Sequence, residues 1–318
     1  MCRKIINILL CFSMLFLLNG CGDDGVKRST GFKGKVYFES NRFGGESYKV
    51  NTGTCYYDGK RVKKLYRHYE NPQISSEGKK LIITKSDKGR LEEGLRVIDL
   101  EVGREQHYDI PSLIILKYKW SPKNEKIGIV AAERGENNYI YDIYIFDPET
   151  NDLKKITDNK VPKIFIGHFS FSPDGKKIAY GMGKTQKAED GRIVRIIDVE
   201  TGKLKELPLS ASNVAWSPDG KTIAAAGTYY EPDGTMNIGS KVVVYDLETG
   251  TYNVLPRPEE KVYQYEDEIC YSPDGTKIAF IRVENSGAKS LWMMDADGSN
   301  RKLLIYDGYQ IDSISWGE

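Results

Sequence analysis

The stretch FSFSPDGKKIAY, residues 169–180, decides the fold because it returns along the chain. Close copies are VAWSPDGKTIAA at 214–225 and ICYSPDGTKIAF at 269–280, and weaker copies cover 118–129 and 72–83. Each copy has an aromatic or apolar anchor directly before its serine, and one more anchor lies near the C-terminus. The six anchors, spaced 45 to 55 residues apart, are Ile74, Trp120, Phe171, Trp216, Tyr271 and Trp316. A unit repeated at this period indicates one supersecondary structure used many times.

Each unit is predicted to contain four short β-strands. In Ser-Pro-Asp-Gly, proline fixes φ at the second position, serine caps from the first and glycine takes the last, which favours a type I turn leading into a hairpin. In the best copy a second strand follows at 177–180, a third at 193–198 and a fourth at 204–207. The third strand recurs at 143–147, 242–246 and 291–295. No stretch after the N-terminal leader shows sustained helical periodicity, so the pattern predicts an all-β protein.

The two ends of the repeat array are complementary. Units of roughly 48 residues have the size of propeller blades. Residues 34–38 read as a second strand without a first, and residues 314–316 read as a first strand with nothing after it. Joining them completes a blade and removes an exposed sheet edge. We therefore expect a six-bladed β-propeller of four-stranded blades over residues 32–318, closed by the C-terminal strand joining the N-terminal blade.

The repeat resembles that of TolB-like propellers, which are related to WD-repeat propellers. The resemblance is carried by Ser-Pro-Asp-Gly-x-x-Ile-Ala and by residues 38–45, FESNRFGG, which are similar to that family's segment between the second and third strands. It covers residues 32–318 and implies the fold, but propellers include scaffolds, binders and enzymes. TolB itself has an additional N-terminal domain, whereas in this chain ten residues separate Cys21 from residue 32. The copies at 121–124 and 75–78 keep the turn but lack its aspartate.

Residues 1–20 are predicted to be a lipoprotein signal peptide. A basic start precedes an apolar run over 5–18, which is shorter than the ~20 residues that span a bilayer. The run ends in Leu-Asn-Gly before Cys21, which resembles a bacterial lipoprotein signal and implies that Cys21 carries the lipid. A plain secretion signal with an incidental cysteine is the alternative. Residues 21–31 then form a lipidated flexible tether.

These features predict a lipid-anchored monomer of the cell envelope, attached to a membrane through Cys21. The periplasmic side of a bacterial membrane or an extracellular face is expected, and Gly22 mildly favours an outer membrane. The 46 Lys and Arg residues against 45 Asp and Glu residues argue against a nucleic-acid binder. An oxidising compartment permits a disulfide between Cys55 and Cys270. Because they lie in different repeats, we expect two buried thiols.

Six polar residues are predicted to surround the mouth of the central channel. Counting three residues back from each anchor gives Asn71, Lys117, His168, Asn213, Glu268 and Ser313. Convergent polar groups at a concavity are the usual signature of a ligand site, and a solvated channel rim is the alternative. One histidine and one carboxylate form a poor metal-ligand set. The sequence has no nucleophile elbow, metalloprotease motif, P-loop or dinucleotide fingerprint, so no catalytic residue, metal or cofactor is assigned.

The connections on one face of the propeller are long and variable, and insertions on one face of a repeat array usually mark a binding face. The sequence therefore favours a non-catalytic scaffold that binds an envelope protein. The alternative is a glycan-binding protein or an enzyme acting at the channel mouth. An aromatic patch on the long-loop face would favour the scaffold. A deep pocket with pKa-perturbed residues around His168 and Glu268 would favour the enzyme.

Overall fold

Four-stranded antiparallel sheets repeat six times in the computed structural model. The structure describes the following residues: 32–40, 53–87, 90–91, 94–123, 125–133, 139–186, 191–226, 229–230, 236–237, 241–256, 265–284, 286–306 and 311–318. The predicted signal peptide, Cys21 and the tether lie outside these residues. The contacts define Lys33–Glu318 as a compact unit separate from Met1–Phe32.

The strands of each blade run from the innermost, beside the channel, to the outermost. The first blade contains, in this order, β27 (Ile311–Gly317), β1 (Lys35–Ser40), β2 (Gly53–Tyr57) and β3 (Val62–Arg67). The second contains β4 (Tyr69–Ile74), β5 (Lys80–Asp87), β7 (Leu95–Asp99) and β8 (Glu105–Tyr108), with β6 (Arg90–Leu91) paired to β5. The third contains β9 (Leu113–Trp120), β10 (Ile127–Glu133), β11 (Tyr141–Phe146) and β12 (Leu153–Lys155).

The other three blades follow the same order. The fourth contains β13 (Ile166–Phe171), β14 (Lys177–Gly183), β15 (Arg192–Asp198) and β16 (Leu204–Leu207). The fifth contains β17 (Asn213–Trp216), β18 (Thr222–Ala226), β21 (Val243–Asp246) and β22 (Tyr252–Val254). A hairpin of β19 (Tyr229–Tyr230) and β20 (Met236–Asn237) lies in its insertion. The sixth contains β23 (Tyr265–Tyr271), β24 (Lys277–Val283), β25 (Lys289–Asp295) and β26 (Lys302–Tyr306).

The first blade is shared by the two ends of the unit. Strand β27 pairs antiparallel with β1, with Trp316 opposite Val36. The indole N–H of Trp316 also donates to the carbonyl of Lys33 at 2.8 Å. The inner strands contact one another around the circle in the order β4, β9, β13, β17, β23, β27 and back to β4. The prediction of a six-bladed propeller closed by its C-terminal strand is confirmed.

The repeated tetrapeptide forms the expected turn. In the fourth blade the N–H of Gly175 donates to the carbonyl of Ser172 at 2.8 Å, and Gly175 has a φ of 71°. The Ser172 hydroxyl donates to Asp174 Oδ1 at 2.6 Å and accepts from the N–H of Lys177 at 2.9 Å. Where the third blade lacks the aspartate, the hydroxyl of Ser121 is buried without a hydrogen-bond partner in the described residues. In the fourth blade the aspartate is therefore one of the partners of the turn serine.

The aspartates that end the third strands are also turn residues. Asp198 Oδ1 accepts from the N–H of Thr201 at 2.8 Å, and Asp246 Oδ1 accepts from the N–H of Thr249 at 2.8 Å. In the sixth blade Asp295 Oδ2 accepts from the amide of Asn300 at 2.7 Å. Among the described residues, no group of three or more His, Cys, Asp or Glu side chains is placed to hold a metal ion.

The core consists of apolar clusters between neighbouring blades. Phe169 and Phe171 of β13 form an edge-to-face pair with centroids 6.0 Å apart. A Cβ atom on Gly128 of the third blade would lie 2.7 Å from the Phe169 ring, so glycine permits this approach. Cys55 and Cys270 are buried and form no disulfide, which agrees with the expected thiols. Within the described residues, no helix has the length and apolarity needed to cross a bilayer.

The strand order gives the propeller two faces, the turn face and the loop face. The turn face carries the connections from first to second and from third to fourth strands of each blade. The loop face carries the other connections, including 157–165 and the start of β23. The tight turns of the repeat and the long connections therefore lie at opposite ends of the channel.

Candidate functional site

Strand irregularities position five of the six predicted channel residues. Register shifts occur in the pairings of β4, β9, β13, β23 and β27 at or beside the predicted positions. Asn71 and Ser313 both have a φ of 53°. A β-bulge adds a residue to one strand and redirects a side chain. In five different blades, the side chain of the predicted residue therefore departs from the regular alternation of side-chain directions along its strand.

Lys117, His168 and Glu268 come from the third, fourth and sixth blades and meet one another. Lys117 Nζ lies 2.6 Å from His168 Nε2, and the same Nε2 lies 3.0 Å from Glu268 Oε1. The side chains of His168 and Glu268 are 17% and 9% exposed. One ring nitrogen cannot accept from an ammonium and donate to a carboxylate at the same time. His168 Nε2 can therefore hydrogen-bond to only one of these two neighbours at a time.

Burial and neighbouring charges have opposing effects on the pKa values of this cluster. Burial lowers the pKa of His168, and the neighbouring Lys117 charge acts in the same direction against the opposing effect of Glu268. Burial alone would raise the pKa of Glu268. The charges of His168 and Lys117, together with the N–H of Ile314 at 2.8 Å, instead hold that pKa well below its usual range. The cluster therefore places an ionised carboxylate in contact with His168.

The other three predicted residues make separate contacts. The hydroxyl of Ser313 donates to Asn71 Oδ1 at 2.6 Å, which joins the first and second blades. The side-chain amide of Asn213 donates to Asp267 Oδ1, which joins the fifth and sixth. The structure thus brings three of the six residues into one cluster and pairs the other three with neighbours. All six use polar groups in contacts between blades.

Two further carboxyl groups at the channel were not singled out by the sequence. Burial and, to a smaller extent, the nearby carboxyl groups of Glu70, Asp312 and Glu268 raise the pKa of Glu39 to about 8. The N–H of Asn71 donates to Glu39 Oε2 at 3.0 Å and acts in the opposite direction. Burial also raises the pKa of Asp312 despite its ion pair with Lys289. Neither residue occupies a position that the repeat marks. Only the folded ring places these acids together.

An aromatic patch lies on the loop face of the third blade. Tyr139, Tyr141, Val161 and Phe165 define this loop-face patch. The rings of Tyr139 and Tyr141 stack with centroids 6.4 Å apart, and Tyr141 meets Phe165 edge-to-face at 6.1 Å. Tyr139, Val161 and Phe165 are 42%, 47% and 44% exposed. Exposed apolar residues are ordinary when scattered, whereas a contiguous group is typical of a binding surface.

A buried polar network supports the loop-face patch. The carboxylate of Asp142 accepts from the hydroxyl of Thr157 at 2.7 Å and lies 2.9 Å from the ammonium of Lys155. The Thr157 hydroxyl in turn accepts from the N–H of Ile143 at 2.9 Å. The amide of Asn159 donates to the carbonyl of Tyr141 at 2.7 Å. The loop is therefore held in place before any partner binds.

Sequence reasoning identified this loop only as a long connection, 157–167. Asp142, Thr157 and Asn159 occur in the third blade alone and have no counterparts in the repeat. The only signal in the sequence is the group of Tyr139, Tyr141 and Phe165 beside that long connection.

A cavity of about 450 Å³ opens at the turn-face end of the channel. Its wall includes all six anchors, which are Ile74, Trp120, Phe171, Trp216, Tyr271 and Trp316. Lys119 and Cys270 also line it. The cavity is thus built from every blade, and its lining does not include His168 or Glu268.

Comparisons with known proteins agree with the propeller and leave the activity open. No protein-family model matches the chain. It is 31% identical to dipeptidyl-peptidase 5 of Porphyromonas gingivalis over 144 residues, 41% of this chain and 20% of that protein. It is 27% identical to 3-phytase of Bacillus subtilis over 280 residues, 79% of this chain and 66% of that protein. The chain therefore spans a fifth of the first relative and just under two thirds of the second.

Solved structures of TolB proteins have the same fold. TolB from Acinetobacter baumannii superposes with a TM-score of 0.69 at 20% identity, covering 90% of this chain and 67% of that one. A putative TolB from Agrobacterium tumefaciens superposes with a TM-score of 0.60 at 18% identity, covering 86% and 88%. With its closed ring of six four-stranded blades, this chain is a six-bladed β-propeller whose structural neighbours are TolB-like propellers.

Proposed function

We propose that this protein is a non-catalytic lipoprotein of the cell envelope that uses its propeller as a protein-binding scaffold. The observation that carries the proposal is the loop-face patch, in which exposed Tyr139, Val161 and Phe165 accompany the partly buried Tyr141, beside a loop that is fixed from below. Aromatic side chains are enriched at protein interfaces and dominate their energetics. A fixed loop binds with a smaller loss of conformational entropy than a mobile one.

The envelope location rests on the N-terminal sequence and on the neighbours in fold. A signal over residues 1–20 and a lipid on Cys21 would hold the propeller at a membrane through the tether 21–31. The TolB-like neighbours are compatible with a cell-envelope location. In this arrangement the propeller is a rigid platform and the loop face selects the partner.

Site-specific crosslinking in intact cells tests the scaffold. A photocrosslinking amino acid at Phe165 is expected to trap one protein species reproducibly, and Tyr139→Ala is expected to reduce its yield severalfold. Leu204 is a matched control position, because it is also 44% exposed but begins the outer strand of the fourth blade. Equal yields from Phe165 and Leu204, or none from Phe165, would reject the loop-face patch as the binding surface.

An enzyme or glycan-binding protein acting at the channel mouth is the second candidate. It is favoured by the contacts among Lys117, His168 and Glu268, which place a base beside an ionised carboxylate. A general acid or base has to reach a substrate proton. In this cluster the three groups contact one another, which favours a role in joining blades.

A direct assay distinguishes the two candidates. The purified protein is incubated with phytate and with a dipeptidyl p-nitroanilide, which the names of the two relatives suggest. The scaffold predicts no release of phosphate or p-nitroaniline above buffer. Turnover that disappears in His168→Gln but persists in Phe165→Ala would favour the enzyme.

A further inference from the structure

The residue directly before each anchor faces the channel beside the turn-face cavity. These six residues are Gln73, Lys119, Ser170, Ala215, Cys270 and Ser315, and all of them line the cavity. The hydroxyl of Ser170 accepts from the N–H of Trp216 at 3.0 Å, and that of Ser315 accepts from the N–H of Ile74 at 3.1 Å. Both hydroxyls are thus engaged between blades. Lys119 is the one charged member of this set.

The alternation of β9 directs Lys119 into the channel. Its neighbours Tyr118 and Trp120 are buried in the apolar cluster between the second and third blades, so the side chain between them points the other way. Within the described part of the chain, its ammonium makes no hydrogen bond or ion pair. Burial lowers the pKa of Lys119 and the charge of Lys117 acts in the same direction, while Cys270 and Glu268 oppose it. The side chain is partly buried and has no direct partner among the described residues.

The cavity wall combines this lysine with aromatic surface. Trp120, Phe171 and Trp316 are each less than a tenth exposed, whereas Trp216 and Tyr271 are only partly buried. At about 450 Å³ the cavity has the size of small-molecule sites, which are mostly apolar with a few fixed polar groups.

We propose that the turn-face cavity binds a small organic anion with a flat apolar body, whose carboxylate pairs with Lys119 and whose body packs against the aromatic anchors. A carboxylate would supply the direct partner that the described residues do not give Lys119, and a charge-assisted hydrogen bond in a partly buried site is strong. Inorganic phosphate fits less well because it requires several converging donors, whereas an organic cation would meet Lys119 as a like charge.

Binding of 1-naphthoate, with the uncharged 1-naphthalenemethanol as the comparison, tests the proposal by calorimetry on the full chain. Wild type is expected to bind the carboxylate about tenfold more tightly than the alcohol, the effect of one hydrogen bond to a charged group. Lys119→Met keeps the apolar stem and should remove this preference while leaving alcohol binding within about twofold. Quenching of tryptophan fluorescence locates the probe, since three of the four tryptophans line the cavity.

Lys126→Met is the matched control. Lys126 follows the same turn of the third blade and loses the same charge, but it pairs with Asp147 and is not part of this cavity wall. It should keep the wild-type preference. Equal affinity of wild type for the two probes, no binding of either, or an equal loss in Lys126→Met would overturn the proposal. Because the comparison of probes is made in wild type, the test does not depend on the folding of Lys119→Met.

Discussion

Ser313 donates a hydrogen bond of 2.6 Å to the side-chain oxygen of Asn71, although 242 residues separate them. Both residues have a φ of 53°, a region that asparagine tolerates and serine adopts less readily. Ser313 lies on β27 and Asn71 on β4, the inner strands of adjacent blades. The two bulged residues meet where the end of the chain enters the ring, so closure is fixed by side chains as well as by the pairing of β27 with β1.

Removal of Ile311–Glu318 should strongly destabilise the propeller. The deletion removes all of β27, including buried Ile311, Ile314 and Trp316, and exposes the inner edge of β1. We expect loss of the cooperative thermal transition or a melting temperature lower by more than ten degrees, on the order expected for a loss of several kcal/mol. Removal of the exposed Glu318 alone is the control. An unaltered melting curve for the longer deletion would contradict the closure.

Thr157→Val should lower the free energy of unfolding by about 1–3 kcal/mol, because it removes a buried hydroxyl that bridges Asp142 and the N–H of Ile143. The substitution preserves shape and removes only the hydrogen bonds. Thr201→Val is the control, since its hydroxyl also bonds an aspartate but lies in an exposed turn. Urea unfolding should show a clearly larger loss at 157 than at 201. Similar losses would mean that the network under the loop-face patch contributes little.

Glu39→Gln should flatten the pH dependence of stability. Glu39 has a folded pKa of about 8 against 4.5 for the free group, because the folded state buries it. Between these values the folded protein holds a proton that the unfolded chain has released, so the free energy of unfolding falls as the pH rises. Urea unfolding at pH 5 and pH 8.5 should show a decline in wild type on the order of 4 kcal/mol, which the variant lacks.

Glutamine suits the Glu39 experiment because its side-chain oxygen can still accept from the N–H of Asn71. Glu149→Gln removes a carboxyl group from an exposed turn and should leave the wild-type decline in place. Parallel pH profiles for wild type and Glu39→Gln would show that Glu39 does not hold the extra proton.

Cys21→Ser should move the protein from the membrane fraction to the soluble fraction, because the serine cannot carry a thioether-linked lipid. Metabolic labelling with an alkyne fatty acid should mark wild type and leave the variant unlabelled. Cys2→Ser changes a cysteine of the predicted signal and should alter neither result. Retention of Cys21→Ser in the membrane fraction would contradict anchoring through this residue.

The repeat itself made the fold predictable. Ser172, Asp174 and Gly175 form the turn that their residue types favour, since each satisfies a backbone or hydroxyl group within a few residues. Closure was predictable for a related reason: a second strand at the start and a first strand at the end require each other. Local chemistry and strand counting were sufficient for both.

The contacts at the channel were less predictable, because they depend on bulges and on distant neighbours. Spacing from the anchors correctly placed His168 and Glu268 on inner strands. It did not predict the cluster that these two residues form with Lys117, which joins three blades. The proton on Glu39 depends on burial beside Asp312, which follows it by 273 positions in sequence. Thr157 and Asp142 belong to one blade only, so a search for repeated features passes over them.

The position of β27 has a consequence for biogenesis. The first three strands of the unit in chain order belong to a blade whose fourth member is the last strand of the unit. A chain that emerges N-terminus first can pair β1 with β2 at once, but the other edge of β1 stays open until β27 has emerged. Pairings this distant in sequence form slowly, so closure of the first blade is expected to be the last step of folding.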